Sequence, residues 1–230
     1  MKNFYDFHIH SGLSPCGSDD MTPNNIVNMC HIKGLNVISV TDHNTTDNVQ
    51  IISELCRNVG IMSIPGIEVT TREEVHVLCY FKELYNAKAF GNLIYDSLPE
   101  IKNIPSIFGN QNIYNINDEI IGTLDKLLLN ASQYSLKEIR IMVDKYHGIM
   151  VPAHINKKSN SILGILGFIP YDLDINFIEI YSKSEINENH IKELKVLKNS
   201  DAHNLIDISE AENFIELNNI YDIYDYLLFK

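Results

Sequence analysis

Short apolar runs alternate with segments of helical period along almost the whole chain, and this alternation is what most restricts the fold. Residues 3–10 read as a strand. Thr22-Pro23 then has the chemistry of a helix start, a hydroxyl cap followed by a first-turn proline, and the helix runs to about Lys33, where Gly34 stops it. Residues 36–41 form a second apolar strand and residues 46–58 a second helix. Residues 61–64 and 66–70 read as one strand interrupted at Pro65, and 75–81 as the next. Ser135 and Glu138 form a capping box for a helix over 135–146; Gly148 ends it, and 149–153 is a strand. Strands at 175–181, 195–200 and 213–217 and helices at 184–194 and 220–229 complete the pattern. Alternation of this kind predicts a mostly parallel sheet with crossover helices, an α/β architecture, in a single domain over residues 1–230. The stretch 82–130 contains Pro99, Pro105, Gly109 and several Asn, has no strong period, and reads as an irregular insertion with one or two short helices.

A chain of 230 residues is long enough to bury one sizeable core. Its formal net charge of -12 excludes a broad basic face, so duplex nucleic acid is not an expected partner. An anionic substrate then needs metal ions to supply local positive charge. The four cysteines, Cys16, Cys30, Cys56 and Cys79, make no C-x-x-C pair, which argues against a zinc ribbon and for a reducing compartment. No apolar run reaches the roughly 18 residues of a membrane span, and the first residues lack the pattern of a signal peptide. A cytoplasmic location without a membrane partner is therefore expected; oligomeric state is left open.

Chemistry concentrates at the ends of the apolar runs. The first strand ends in His8-Ile9-His10, and residues two apart on a strand point to one face, so both imidazoles can reach one ion. The second ends in Asp42-His43; the following strands carry Glu68 and His76; His154 follows Pro152, and Asp201-Ala202-His203 follows Ser200. Each piece alone has an ordinary reading: Asp42 as a cap, Glu68 as a loop carboxylate, His76 as a core histidine. Together they recur where α/β folds collect their active sites, and imidazole with carboxylate suits zinc, manganese or iron. Glu68 is the natural bridge between ions, through its two oxygens. Asp6 and Asp42 each lie close to a ligand histidine and are positioned to orient an imidazole by accepting its second N–H. His31, His147 and His190 sit at helix ends or on a polar helix face and read as structural or solvent-facing. Cys30, Cys56 and Cys79 read as core residues.

The ordered set His-x-His, Asp-His, Glu, His, His, Asp-x-His resembles the PHP (polymerase and histidinol phosphatase) family, and most nearly its small stand-alone metal-dependent phosphoesterases, over residues 6–203. The resemblance implies a distorted, TIM-like β/α barrel of seven strands and two or three divalent ions. It implies one ion held by His8, His10, Glu68 and Asp201, and a second held by Glu68, His76 and His154. A third would take His43, His203 and a ligand from the loop after the first strand. Related enzymes place His or Asp in that loop, whereas this chain reads Ser14-Pro15-Cys16-Gly17-Ser18-Asp19-Asp20. By spacing Cys16 takes the ligand position, with Asp19 and Asp20 as alternatives and a small turn cysteine as the ordinary reading.

The implied activity is hydrolysis of a small phosphomonoester or nucleotide by a metal-activated water. Glu68, His43 and His203 are the expected catalytic residues, with one of the two histidines protonating the leaving alkoxide. Arg72, Lys157 and Lys158 are candidates to clamp a second anionic group, against the ordinary reading of exposed surface charge. Two alternatives stand beside this: a nuclease-like phosphodiesterase on short oligonucleotides, and a non-enzymatic, metal-stabilised PHP module.

Overall fold

The computed structural model describes residues 1–181, 191 and 194–228. In chain order its first elements are β1 (Lys2–Ile9), α1 (Pro23–Ile32), β2 (Val37–Val40), α2 (Val49–Val59), β3 (Met62–Ser63), β4 (Gly66–Thr70), β5 (His76–Phe81) and α3 (Leu84–Asp96). There follow α4 (Pro105–Phe108), β6 (Asn112–Tyr114), β7 (Ile120–Thr123), α5 (Leu136–Lys145), β8 (Gly148–Pro152), α6 (Ile162–Leu166), β9 (Phe177–Glu179), β10 (Lys195–Leu197), β11 (Phe214–Glu216) and α7 (Ile223–Leu228). The helix read at 184–194 falls on residues outside those described, as does His190.

The N-terminal third follows the sequence reading closely. β1 and β2 pair in parallel, with Tyr5 opposite Val37 and Asp6 opposite Ile38, and β3 adds on beyond β2. β2 is an unbroken buried run, Val-Ile-Ser-Val, as a strand covered on both faces must be. The Thr22 hydroxyl accepts from the Asn25 amide to cap α1, and Gly60, with positive φ, closes α2. Both crossover helices lay Ile26, Val27, Cys30, Ile52, Leu55 and Cys56 against Ile38 and Val40.

The central third departs from it. β4, β5 and β8 form an antiparallel sheet, in register Glu68–Leu78 and Leu78–Val151. The expected mostly parallel sheet is corrected here, and the cause is local. Thr71 and Val75 close a tight turn through their backbone groups, with Glu74 in the left-handed region, and a turn that short permits only an antiparallel return. β11 also runs antiparallel to β1, whereas β9 and β10 are parallel. The ladders are separate open sheets and do not close into one TIM-like ring. They meet through single bridges, Ile9 with Ala202 and His43 with Glu68, at the ends where the histidines lie.

The stretch 82–130 carries two helices, as read, together with a hairpin, but α3 packs into the core. α3 buries Ala87, Phe90, Gly91 and Ile94, spaced as one face of a helix, in the core built on β4, β5 and β8. Its period is hard to see because Gly91 and Ala87 carry so little apolar surface. Gly91 is required there, since a Cβ would lie 2.4 Å from the Thr46 hydroxyl. Beyond it, α4 and the β6–β7 hairpin fold over the loop after β1. Gly109, at φ +100, passes so close to Pro15 that any side chain would strike the Pro15 carbonyl oxygen. No helix among the described residues is long and apolar enough to cross a membrane.

Candidate metal centre

Glu68 is fully buried, and five imidazoles surround its carboxylate. Oε1 lies 3.0 Å from His76 Nδ1, 3.2 Å from His154 Nε2 and 3.4 Å from His8 Nε2. Oε2 lies 3.0 Å from His43 Nδ1 and 3.4 Å from His10 Nε2. Asp201 Oδ1 sits 3.3 Å from both His8 Nε2 and His10 Nε2, which are 3.1 Å from each other. The residues that bring this about are far apart in sequence and adjacent only because each ends a strand or follows one.

The outward nitrogens of His8 and His10 are fixed by what holds the inward ones. His8 Nδ1–H donates to Glu179, 3.0 Å from either oxygen. Glu179 also accepts from the His154 amide and from Asn199 Nδ2, at 2.8 and 2.7 Å, so its carboxylate is saturated. His10 Nδ1–H donates to Ser14 Oγ, 3.0 Å away, and that hydroxyl donates onward to Asp42. Nε2 of each ring therefore faces Asp201 and Glu68. His154 and Asp201 both hold positive φ, a backbone conformation kept where surrounding structure over-determines it.

The donor set fits a metal ion. Four donors each about 2.0–2.1 Å from one ion lie roughly 3.3 Å apart, close to the spacing of His8, His10, Asp201 and Glu68. Glu68 Oε2, His43 Nδ1 and His154 Nδ1 are moreover buried without a hydrogen-bond partner, although the first two lie only 3.0 Å apart. The first two face each other, and buried polar atoms left in this way are what a cation satisfies. Groups able to hold an ion are His8 with His10 and Asp201, His43 with Glu68 and His76, and His10 with Cys16, His43 and His203.

Electrostatics couple these groups tightly. Burial alone would push the Glu68 carboxyl up, but His76, His8 and His43 hold it well below the usual range. Burial disfavours a charged His8, yet Glu179, Asp201 and Glu68 raise it well above the ordinary imidazole value; His43 is raised likewise by Glu68 and Cys16. His10 is held well below by burial, His203 and His43. In the metal-free chain, protons on His8 and His43 thus do part of what a cation does. Because an ion needs the neutral rings, its apparent affinity is expected to rise with pH through these raised values, with protons released on binding. Calorimetry of zinc binding in buffers of differing ionisation enthalpy measures that release, and no net proton transfer at neutral pH would contradict the assignment.

The loop alternatives separate in space. Cys16 joins His10, His43 and His203, while the Asp19 carboxylate accepts from Asn110 Nδ2 and Asp20 is exposed, its backbone amide donating to the Ser18 hydroxyl. Burial opposes the Cys16 thiolate, but His43 and His203 outweigh it and bring the thiol down to about 6. The other three cysteines are buried in the apolar cores.

Several expected roles do not match the geometry. Asp42 contacts no imidazole; it accepts from the Ser11 amide, the Ser11 hydroxyl and the Ser14 hydroxyl, and reaches His10 only through Ser14. Asp6 accepts from the amides of His8, Ser200 and Ser209 and ties β1 to the loop carrying Asp201. Both correct the same expectation, because backbone amides and serine hydroxyls take up these buried carboxylates before any imidazole reaches them. Arg72 is 60% exposed and turns to Glu138 and the Gln133 carbonyl, away from the cluster. Lys157 does reach it: Nζ pairs with Asp201 and lies over the Tyr181 ring. Lys158 is exposed, and the cleft of about 560 Å³ beside Asp201 and His203 is lined by Lys157 and Lys198 instead. Sequence reasoning passed over Glu179, Ser14, Asn199 and Lys198. Glu179 had a signal, a lone carboxylate in a buried strand, which calls for a partner. His31 and His147 are exposed.

The sequence profile of the PHP domain matches residues 6–157, more than half of the chain. The chain belongs to the PHP domain family. It is 30% identical over 81 residues to a 5'-3' exoribonuclease of Haemophilus influenzae, covering 34% of this chain and 28% of that protein, so it spans about a quarter of its relative's length. Its fold is similar to that of a Bifidobacterium adolescentis protein described as a metal-dependent phosphoesterase, with TM-score 0.64, 15% identity, and coverage of 98% and 96% of the two chains. It is equally similar to a lesion-specific endonuclease, PfuEndoQ of Pyrococcus furiosus, with TM-score 0.64, 21% identity, and coverage of 89% of this PHP chain and 49% of the endonuclease. An Endonuclease Q complex with a 27-mer duplex carrying an abasic lesion gives TM-score 0.61 at 20% identity, covering 89% and 50%.

Proposed function

We propose that this PHP domain is a metal-dependent phosphoesterase that hydrolyses a small phosphomonoester or a nucleotide. The observation that carries the reading is the ring of five imidazoles and Asp201 about the buried Glu68 carboxylate, beside a cleft of nucleotide size. His8, His10, Glu68 and Asp201 would hold one divalent ion, zinc, manganese or iron, and Glu68, His76 and His154 another. Bound there, such ions supply Lewis acidity toward phosphate oxygens and bring a water's pKa near neutrality.

The chain's own residues orient and protonate. His203 is 30% exposed at the cleft, and its Nδ1–H is given to the Asp201 carbonyl at 2.8 Å, which leaves Nε2, where it holds no ion, to pass a proton to a leaving alkoxide. His43, deeper in the cluster, is the second donor. Lys157 and Lys198 flank the cleft and clamp an anionic group of the substrate. In this reading β1, β2, β4, β5, β8, β9 and β10 follow one another around Glu68 as a distorted seven-stranded arrangement, opened between ladders. Four free cysteines accord with a reducing, cytoplasmic setting.

A second reading, trimming of short single strands from an end, is favoured by the likeness to the exoribonuclease. Duplex binding is less favoured: the endonuclease neighbour is about twice as long, and this chain carries a net charge of -12. Protein loaded in turn with zinc, manganese and iron should be assayed against nucleoside monophosphates, nucleoside bisphosphates, short 5'-phosphorylated RNA and an abasic duplex. Turnover is expected on the mono- and bisphosphates and none on the duplex. A folded, ion-bound protein inert toward all four would instead be a metal-stabilised structural module.

A further inference from the structure

Cys16 is the one donor in the cluster whose chemistry differs in kind from the rest. It lies with His10, His43 and His203 so that one ligand atom from each falls within 4.8 Å of all the others. The loop that carries it is held rather than draped. The Ser18 amide donates to the His203 carbonyl at 2.9 Å, the Gly17 amide to the Ser14 carbonyl at 2.8 Å, and Gly109 packs on Pro15 from above. His43 is nine-tenths buried and belongs both to this group and to the one around Glu68, its Nδ1 lying 3.0 Å from Glu68 Oε2. The three imidazoles and the thiol include no carboxylate. The pair of positions around Glu68 and Asp201, by contrast, is rich in oxygen donors.

We infer that Cys16 puts a sulfur ligand beside His203 and His43, with His10 at the edge, and so restricts the third ion that the family pattern implies there to zinc, iron(II) or cobalt(II), disfavouring manganese and magnesium. The inference rests on the two-ion reading above. Thiolate is a good ligand for the first group and a poor one for the second, whereas imidazole with carboxylate admits both. The chain would then carry two kinds of site side by side: an oxygen-rich pair that exchanges its ions with the medium, and a sulfur-bearing position that holds on to a softer one.

The test uses the full chain, stripped with chelator and reloaded with cobalt(II) alone. A thiolate-to-cobalt charge-transfer band in the near ultraviolet is expected in the wild type. In Cys16→Ser the band should vanish and bound cobalt should fall by about one equivalent, with the remainder retained. Cys16→Asp should restore the lost equivalent without the band, and should bind more manganese than the wild type. Zinc, but not manganese, should protect Cys16 from alkylation; the other three cysteines are buried and do not interfere. Absence of the band in the wild type, or unchanged cobalt content in Cys16→Ser, would overturn the inference and leave the paired site standing. A wild-type chain that binds no cobalt at all would overturn the paired site too.

Discussion

Glu68→Ala should leave a folded protein that retains almost no metal and hydrolyses phosphate esters at the background rate. Its two oxygens are the common neighbours of His8, His10, His43, His76 and His154, so the substitution removes a ligand from every ion position around it at once. Loss of a single electrostatic contact to a transition state typically costs about 10²–10³ in turnover, and loss of the bridging ligand should cost at least about 10³. The substitution also removes the main counter-charge of His43, so its raised pKa should fall, whereas His8 keeps Glu179 and Asp201 and should fall less, as the ring-proton shifts of the metal-free protein would report. Metal content by elemental analysis and turnover of a generic phosphate ester are the measurements. Wild-type metal content together with wild-type turnover would show that the ions are held elsewhere.

The second large effect is on stability. Phe90→Ala should destabilise the fold by about 3–5 kcal/mol, the usual range for removing a buried aromatic ring. Phe90 is fully buried, with its ring 5.1 Å from Phe81 and 6.0 Å from Tyr146, centroid to centroid. It joins α3 to the strand β5 and to the end of α5. Ile107→Ala, in the same stretch of sequence but 68% exposed on α4, should change stability by less than about 0.5 kcal/mol. Denaturant unfolding of the two variants separates the readings: an irregular surface insertion would make both substitutions mild.

That contrast shows where local sequence patterns lose their reach. Residues 82–96 build half of a core helix, but the face that packs contains Ala87 and Gly91, whose small size lets the helix approach Thr46 and erases the apolar period. β4 and β5 were legible as strands, yet their direction depended on a single short turn at residues 71–75. The helix starts at Thr22 and Ser135 were legible because a cap is a property of three or four neighbouring residues.

The same division runs through the metal centre. That these residues belong together was legible in the sequence, since imidazoles and carboxylates recur at the ends of its apolar runs, and the structure gathers them around Glu68. Two-residue spacing also dictated that His8 and His10 share a face. Which nitrogen each ring presents was decided only by tertiary structure, through Glu179 and Ser14, which come from a distant strand and from the loop after β1. Asp6 and Asp42, close to these histidines in sequence, are taken up by partners from distant segments and the loop after β1: the Ser200 and Ser209 amides for Asp6, Ser11 and Ser14 for Asp42. That Cys16, and not Asp19 or Asp20, lies among His10, His43 and His203 is likewise a matter of how the loop folds. Ligand type is a property of each residue, and can be read one at a time. Orientation is a property of what surrounds it, and exists only once strands from the two ends of the chain have met around Glu68.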